Sequence, residues 1–499
     1  MFGGRLFLWG MRFGIAVVLA RTLGVTGYGA YNLALGVATI ASLLPPLGFD
    51  AAIVRYTAIF AGRRDWPRFH ANLRFMVGLP AFLSLLVAGG LAALALPIAE
   101  TIMHDRQYAP LVIISAAMVP TMVLSAQLVG ALRGLKRMGP AVLAEQVGQP
   151  IVRLALLVPL LIAGISVLGA LAAWTVASWV TTALLALILL SALRRLPYRG
   201  RSKPDAAMLL RYSAPLFVSN LVVKSGIHLQ SILLGTISTV GAVGVFAVAS
   251  NVNLIGSLFH SSLVAAAMPI FAQLQDRKDH GALERLYQVT SKWSFTLNLP
   301  LFLTIITYPQ ALLAVFGPGF QAGAVPLAIL AGANLVNAGT GMSSVLLDMT
   351  GHTALKAVNA TVAVAGGIIL NLILVPPLGL IGAALAFFAV TAIANILPLV
   401  EVLRLERVSP YSAAFLKPAT AGGAAILASL ATRTLLGHSE NLVTAAIGIA
   451  VILATYTIVL VQLGIDDDDR ILWRRAIRRL SRGGRGTAAP PNGPRPSGK

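Results

Sequence analysis

The chain has 499 residues, of which 57% are apolar and only 11% charged, less than half the roughly 25% charge of a soluble domain. The charge is lopsided, 38 Lys and Arg against 17 Asp and Glu, a formal +21. A basic balance can signal nucleic-acid binding, but so few charges cannot keep so apolar a surface in water. The composition excludes a nucleic-acid partner, a soluble enzyme and a disordered chain, and leaves a polytopic membrane protein; with no Cys, thiol and disulfide chemistry are excluded too.

A membrane crossing needs roughly 20 mostly apolar residues rising about 1.5 Å each. Apolar runs broken by Gly, Pro or charge give fourteen candidates. The first, about 4–23, has Arg5 and Arg12 at its start, and no small-residue cleavage site precedes a soluble domain, so it reads as a transmembrane helix and not a secretory signal. The second, 28–54, is long enough to be tilted, or broken near Pro45-Pro46. Then come 75–99, 108–132, 142–163 and 167–191, a polar interruption from Arg194 to Pro204, and 211–235, 241–272, 294–316, 322–347, 357–376 and 379–402. Two more, 415–436 and 442–463, follow Arg404 to Tyr411.

Beyond them, Asp466 to Asp469 would place negative charge at a helix N-terminus. Arg470 to Arg482 then sets Trp473, Ile477 and Leu480 against Arg474, Arg475, Arg478 and Arg479. That is the pattern of an amphipathic helix on anionic inner-leaflet lipids, with a topology anchor lacking any partner as the alternative. The Gly-, Pro- and Arg-rich end from Gly483 reads as disordered. The expected fold is therefore an all-α polytopic membrane protein with about fourteen transmembrane helices. Two parallel six-helix lobes, 1–200 and 201–410, flank a central cleft. A helix pair over 411–465 and a cytoplasmic basic helix and tail over 466–499 complete it.

The basic residues set the orientation. With a cytoplasmic N-terminus, the connections on that side hold 31 of the 38 Lys and Arg, 9 of them in the tail. The opposite connections and their flanks hold only Arg21, Arg106 and Arg433. Positive residues stay inside, so both termini are expected to be cytoplasmic.

The chain also matches itself. A shift of 215 residues lays Gly29-Ala30-Tyr31 over Gly244-Val245-Phe246, Ala41-Ser42-Leu43 over Gly256-Ser257-Leu258, and Arg63 over Lys278. A shift of 217 lays Arg133-Gly134 over Thr350-Gly351 and Val158-Pro159 over Val375-Pro376. Six spans per copy, an even number, give the copies the same orientation; transporters built from such parallel repeats bind substrate between them.

Two stretches carry a resemblance. The run Ala20-Arg21-Thr22-Leu23-Gly24-Val25-Thr26-Gly27-Tyr28-Gly29-Ala30-Tyr31 resembles the ARxLGxxxYGxY opening of polysaccharide-biosynthesis flippases. Leu47-Gly48-Phe49-Asp50-Ala51-Ala52-Ile53-Val54-Arg55-Tyr56 resembles their LGxxxAxxR second-span signature. This family lies within the multidrug/oligosaccharidyl-lipid/polysaccharide (MOP) exporter superfamily, and the O-antigen and exopolysaccharide repeat-unit branch fits better than the lipid II branch. The resemblance implies twelve spans in two lobes plus two. It implies alternating-access transfer of a polyprenyl-pyrophosphate-linked oligosaccharide across a bacterial cytoplasmic membrane, with a polysaccharide polymerase or export complex as a candidate partner. Many relatives carry an Asp in the seventh span where this chain has Gln230-Ser231, so the resemblance does not extend to ion coupling at that position.

Charge at membrane depth costs at least about 2.5–3.5 kcal/mol, so each such residue needs a reason. In span 7, Asn220, Lys224, His228 and Ser231 form one helical stripe. Span 8 carries Asn253, Ser257, His260 and Ser261, with Asn251 beside them; span 5 has Glu145, Gln149 and Arg153; span 2 has Asp50 and Arg55; span 1 has Arg12. The candidate substrate-binding residues are Lys224, Asn220, His228, Asn253, His260, Arg12, Asp50, Arg55 and Arg153. Lys224, with Arg12 or Arg55, would meet phosphates, and the Asn and His faces would meet sugar. Structural roles compete with these. Glu145 and Arg153 can pair with each other, Asp50 with a neighbouring helix, Arg55 can anchor topology, and His and Asn can serve as interhelical glue.

No P-loop, nucleotide domain or metal-ligand cluster is present in the sequence, so no catalytic residue, metal or cofactor is expected. An ion-coupled multidrug exporter of the same superfamily is the competing transporter. A membrane-embedded glycosyltransferase or polymerase is the competing enzyme, and short outer loops weigh against it.

Overall fold

A computed structural model describes residues 2–164, 166–197, 202–254, 257–435 and 442–464; the basic tail expected over 466–499 lies outside them. In chain order the first half contains α1 (Phe2–Ser42), α2 (Phe49–Gly62), α3 (Trp66–Ala93), α4 (Ala95–Ile102), α5 (Ala109–Ala116), α6 (Val119–Gly134), α7 (Met138–Val142), α8 (Gln149–Ile162) and α9 (Val167–Leu193). The second contains α10 (Ala206–Ile237), α11 (Val240–Asn253), α12 (Ser257–Asp276), α13 (His280–Thr307), α14 (Pro309–Ala314), α15 (Ala324–Thr340), α16 (Ser343–Met349) and α17 (Thr353–Leu405). Two more, α18 (Leu416–Leu435) and α19 (Leu442–Gln462), follow.

Nine helices among the described residues are long and apolar enough to cross a membrane, against fourteen crossings expected from sequence. Part of the difference is in how breaks are counted. At 53 residues, α17 is far longer than a bilayer is thick, but Gly379 sits at φ 53°, ψ −125°, a conformation that glycine alone adopts cheaply. Leu374 and Gly382 would be about 12 Å apart along a continuous helix. A Cβ on Gly382 would instead lie 2.0 Å from the Leu374 carbonyl oxygen, so the chain folds back on itself there. Gly24 breaks α1 in a similar way, with φ 68° and ψ −178°. The second expected span is broken after Ser42, around Pro45-Pro46, and resumes as α2, which runs to Gly62. The basic connection expected over 55–74 therefore shrinks to a turn at 63–65.

Left-handed turn residues recur along the chain. Arg64 (φ 56°) precedes Asp65, which caps α3 by accepting from Arg68 N; Lys278 (φ 53°) precedes Asp279, which caps α13 by accepting from Ala282 N. His104 and Gly319, Lys136 and Gly351, and Gly164 and Gly379 are further left-handed pairs, each 215 residues apart. The 217-residue shift read from the sequence is therefore off by two: Gly351 matches Lys136 and not Gly134. The match of Arg63 to Lys278 is off by one: the two turns carry the same hydrogen bonds, Arg63 to Ile59 and Arg277 to Gln273 among them, and the second half is one residue shorter upstream of them.

The same offset appears where the two halves meet. A Cβ on Gly29 would lie 1.9 Å from the carbonyl oxygen of Val240, and one on Gly244 would lie 2.1 Å from that of Val25. Gly29 and Gly244 are 215 residues apart, and so are Val25 and Val240. Helices α1 and α11 thus cross by a reciprocal, backbone-to-backbone contact that only glycine permits. Elsewhere the connection between the halves is clamped: Asn72, 1% exposed, donates to Asp205 Oδ2 at 3.1 Å and accepts from Asp205 N at 2.7 Å. The last two helices lean on α13 and α14 through Tyr308 Oη to Ser429 Oγ (2.7 Å) and Tyr456 Oη to Thr296 O (2.9 Å). Side chains such as Phe82, Leu85 and Ile162 are 59%, 60% and 85% exposed, an apolar exterior suited to lipid and not to water.

Candidate functional site

Between the halves lies a cavity of about 590 Å³. Its first-half wall comes from α1, α6, α8 and α9; its second-half wall comes from α10, α11, α15 and α17. Four of the candidate residues line it: Arg12, Arg153, His228 and Asn253.

Arg153 is the most elaborately held. Its guanidinium lies 4.1 Å from the centre of the Trp174 ring and 5.9 Å from that of Tyr31, and Nη2 donates to Tyr31 Oη. The Nε–H is buried without an acceptor. Tyr31 in turn stacks between Tyr28 and Trp174, with ring centres 6.1 Å apart on each side. Arg153 does not turn to Glu145, the partner allowed by helical spacing. Glu145 itself lies in a π-helical turn, Leu143–Gly148, just before α8. Arg12 is exposed and makes no hydrogen bond or ion pair among the described residues.

On the facing wall, Asn251 Nδ2 donates to Tyr28 Oη at 3.1 Å, and Asn334 Nδ2 donates to the backbone oxygen of Asn253 at 3.3 Å. Asn253 is 5% exposed, and its side-chain Oδ1 has no donor. Gln230 is tied from behind: it donates to Asn371 Oδ1 and Ala383 O, both at 2.9 Å, and accepts from Asn371 Nδ2 at 2.8 Å. Two arginines line the cavity, both from the first half, and no Asp or Glu is among its described lining residues. The second half supplies carboxamides, hydroxyls and one imidazole.

The other candidates sit elsewhere. Lys224 Nζ contacts Asp50 Oδ2 at 2.9 Å, with side chains 48% and 27% exposed, and Gln127 Nε2 donates to Asp50 Oδ1 at 3.1 Å. Lys224 is absent from the cavity lining and is spent on an acid 174 residues away in sequence. Arg55 is exposed and stacks over Tyr212 of α10, 4.8 Å from its ring centre. Asn220 is half-buried on α10 outside the cavity. His260 Nδ1 meets Ser294 Oγ of α13 at 2.8 Å. Asp50–Lys224, Arg55–Tyr212 and the close fit of Gly48 against the Ser213 backbone make one seam between α2 and α10. In the other diagonal, α12 and α1 are not packed to the same extent among the described residues. No cluster of three His, Asp or Glu that could hold a metal occurs among the described residues.

Tyr28, Tyr31, Trp174 and Asn334 did not emerge as candidates, although Tyr28 and Tyr31 lie within the YGxY stretch. Aromatic residues in an apolar helix read as core, and only the fold brings three spans together around Arg153.

Comparison with known proteins agrees with this architecture. A family model described as polysaccharide biosynthesis protein matches residues 3–275. The probable low-salt glycan biosynthesis flippase Agl15 of Haloferax volcanii is 25% identical over 183 residues, 36% of this chain and 39% of that protein. The match thus spans well under half of the relative's length. Among solved structures, lipid II flippase MurJ in an inward closed conformation superposes with a TM-score of 0.67 at 17% identity, covering 95% of this chain and 99% of that one. An inward-facing multidrug resistance MATE family transporter of the MOP superfamily gives 0.64 at 18% identity, covering 79% and 92%. These likenesses show the fold.

Proposed function

Because the chain belongs to the polysaccharide biosynthesis protein family, a multi-pass membrane family of transporters and not enzymes, we propose that it flips a polyprenyl-pyrophosphate-linked oligosaccharide across a bacterial cytoplasmic membrane. O-antigen or exopolysaccharide assembly would consume the product, and a polymerase or export complex would receive it. The observation that carries this reading is the cavity between the halves, with two arginines on one wall, carboxamides and hydroxyls on the other, and no carboxylate among its described lining residues. A diphosphate needs cations in a site of low dielectric, where few suffice. A sugar needs paired donors and acceptors, and a polyprenyl tail needs a lateral way out to lipid; the looser diagonal between α12 and α1 favours that side.

In this reading the chain makes fourteen crossings in two parallel six-helix lobes, 1–200 and 201–410, with the pair over 411–465 appended. Both termini are cytoplasmic. The lobes alternate access about the α1–α11 contact.

A multidrug exporter would carry carboxylates for cationic drugs, and the described lining residues do not favour it. Deleting the gene tests the choice. Loss of surface polysaccharide with accumulation of lipid-linked intermediates is expected; normal polysaccharide with lost drug resistance would overturn it.

A further inference from the structure

Two side chains that line the cavity each hold a buried polar atom without a protein partner, and the two atoms are opposite in kind. On the first half, Arg153 is fixed by Trp174 and by the Tyr31 hydroxyl, and its Nε–H has no acceptor. On the second half, Asn253 is 5% exposed at the end of α11, and its Oδ1 has no donor. Both residues line the same cavity. A buried group left without a partner is costly, so a site whose lining side chains hold one orphaned donor and one orphaned acceptor fits a ligand that supplies both complements.

Resting on the flippase reading above, we infer that Arg153 receives the diphosphate and Asn253 receives a hydrogen-bond donor, a hydroxyl or acetamido N–H, on the first sugar attached to it. The ligand then lies across the boundary between the halves with a fixed direction, anion toward α8 and sugar toward α11. Neighbouring groups favour this direction. Arg12 adds positive charge on the first-half wall, while Asn251 and Asn334 hold the second-half wall in place through Tyr28 Oη and the Asn253 backbone. Because Trp174 and Tyr31 pin the guanidinium before any ligand arrives, little side-chain freedom is lost on binding. Asn253 acts on the sugar alone. It therefore sets specificity for what the lipid carries, whereas Arg153 sets affinity for any polyprenyl diphosphate.

The test uses the full chain in lipid nanodiscs and two probes, farnesyl diphosphate and farnesyl diphosphate bearing one N-acetylglucosamine, with binding isotherms for each. Wild type binds both, the sugar-bearing probe more tightly. Asn253→Ala weakens the sugar-bearing probe by about tenfold and leaves farnesyl diphosphate within about twofold, the second isotherm also reporting an intact cavity. Arg153→Gln weakens both probes by about tenfold or more. If Asn253→Ala leaves the sugar-bearing probe unchanged while Arg153→Gln weakens both, the sugar assignment is wrong and the flippase reading stands. If Asn253→Ala weakens both probes equally, Asn253 supports the fold and does not read the sugar. If Arg153→Gln alters neither probe, the anion assignment is wrong. If wild type binds neither probe, the flippase reading fails as well.

Discussion

The two halves touch in two unlike ways. Along α1 and α11 the contact is backbone on backbone and reciprocal: Gly29 against Val240 and Gly244 against Val25. Along α2 and α10 there is one such approach, Gly48 against the Ser213 backbone, without a reciprocal partner, and the rest is side chains: an exposed ion pair from Asp50 to Lys224 and an exposed guanidinium on a tyrosine ring. Close packing between small residues has one geometry and no slack. Exposed ion pairs and cation–π contacts are worth little each and re-form easily. In the proposed cycle, the first contact is therefore the pivot and the second is the seam that opens.

Substitutions break this contrast in a definite order. Gly244→Leu has the largest expected effect, because its side chain would enter the space of the Val25 carbonyl. Overpacking of this kind costs about 1–3 kcal/mol or more, and both the melting temperature of the purified chain and its transport should fall. Arg153→Gln comes next: melting changes little, and transport of a fluorescent polyprenyl-diphosphate sugar in proteoliposomes drops about tenfold or more. Lys224→Ala removes an ion pair worth about 1 kcal/mol or less; its effect should appear in transport rate and be reversed by exchanging the charges, Asp50→Lys with Lys224→Asp. The exchange requires the Gln127 amide to turn over, so that Oε1, which has no donor, accepts from a lysine at position 50 in place of the Nε2 that donates to Asp50. Arg55→Ala is the smallest, about 0.5–1 kcal/mol for an exposed cation–π contact, visible as a slight shift in melting temperature. An Arg55→Ala effect as large as that of Gly244→Leu would erase the distinction between pivot and seam.

How much of this was legible in the sequence depended on range. Helices and breaks are local, so apolar runs and Pro45-Pro46 located them. The turns before α3 and α13 are also local and read as a repeat through Arg63 and Lys278, whereas Gly134 matches Gly351 by residue type alone and lies two residues out of register. The positive φ at Lys136 is the reason, since a left-handed lysine carries no sign in sequence. Lys224 looked destined for the cavity because no acid stood near it in the chain, and only the fold brings Asp50 to it. By spacing alone Arg153 can either face the cleft or pair with Glu145 two turns away, and only the fold shows it seated on Tyr31 and Trp174. The aromatic bed of Tyr31 and Trp174 combines three spans and has no local signature.

The chain contains no cysteine, so paired cysteines can be placed without background. The most direct test joins the seam: Asp50→Cys with Lys224→Cys, bridged by a reducible bis-maleimide, in proteoliposomes carrying a fluorescent polyprenyl-diphosphate sugar. If the lobes alternate by opening between α2 and α10, transport runs in the unbridged double variant, stops on bridging, and returns when the bridge is reduced. Undiminished transport with the seam bridged would contradict that motion.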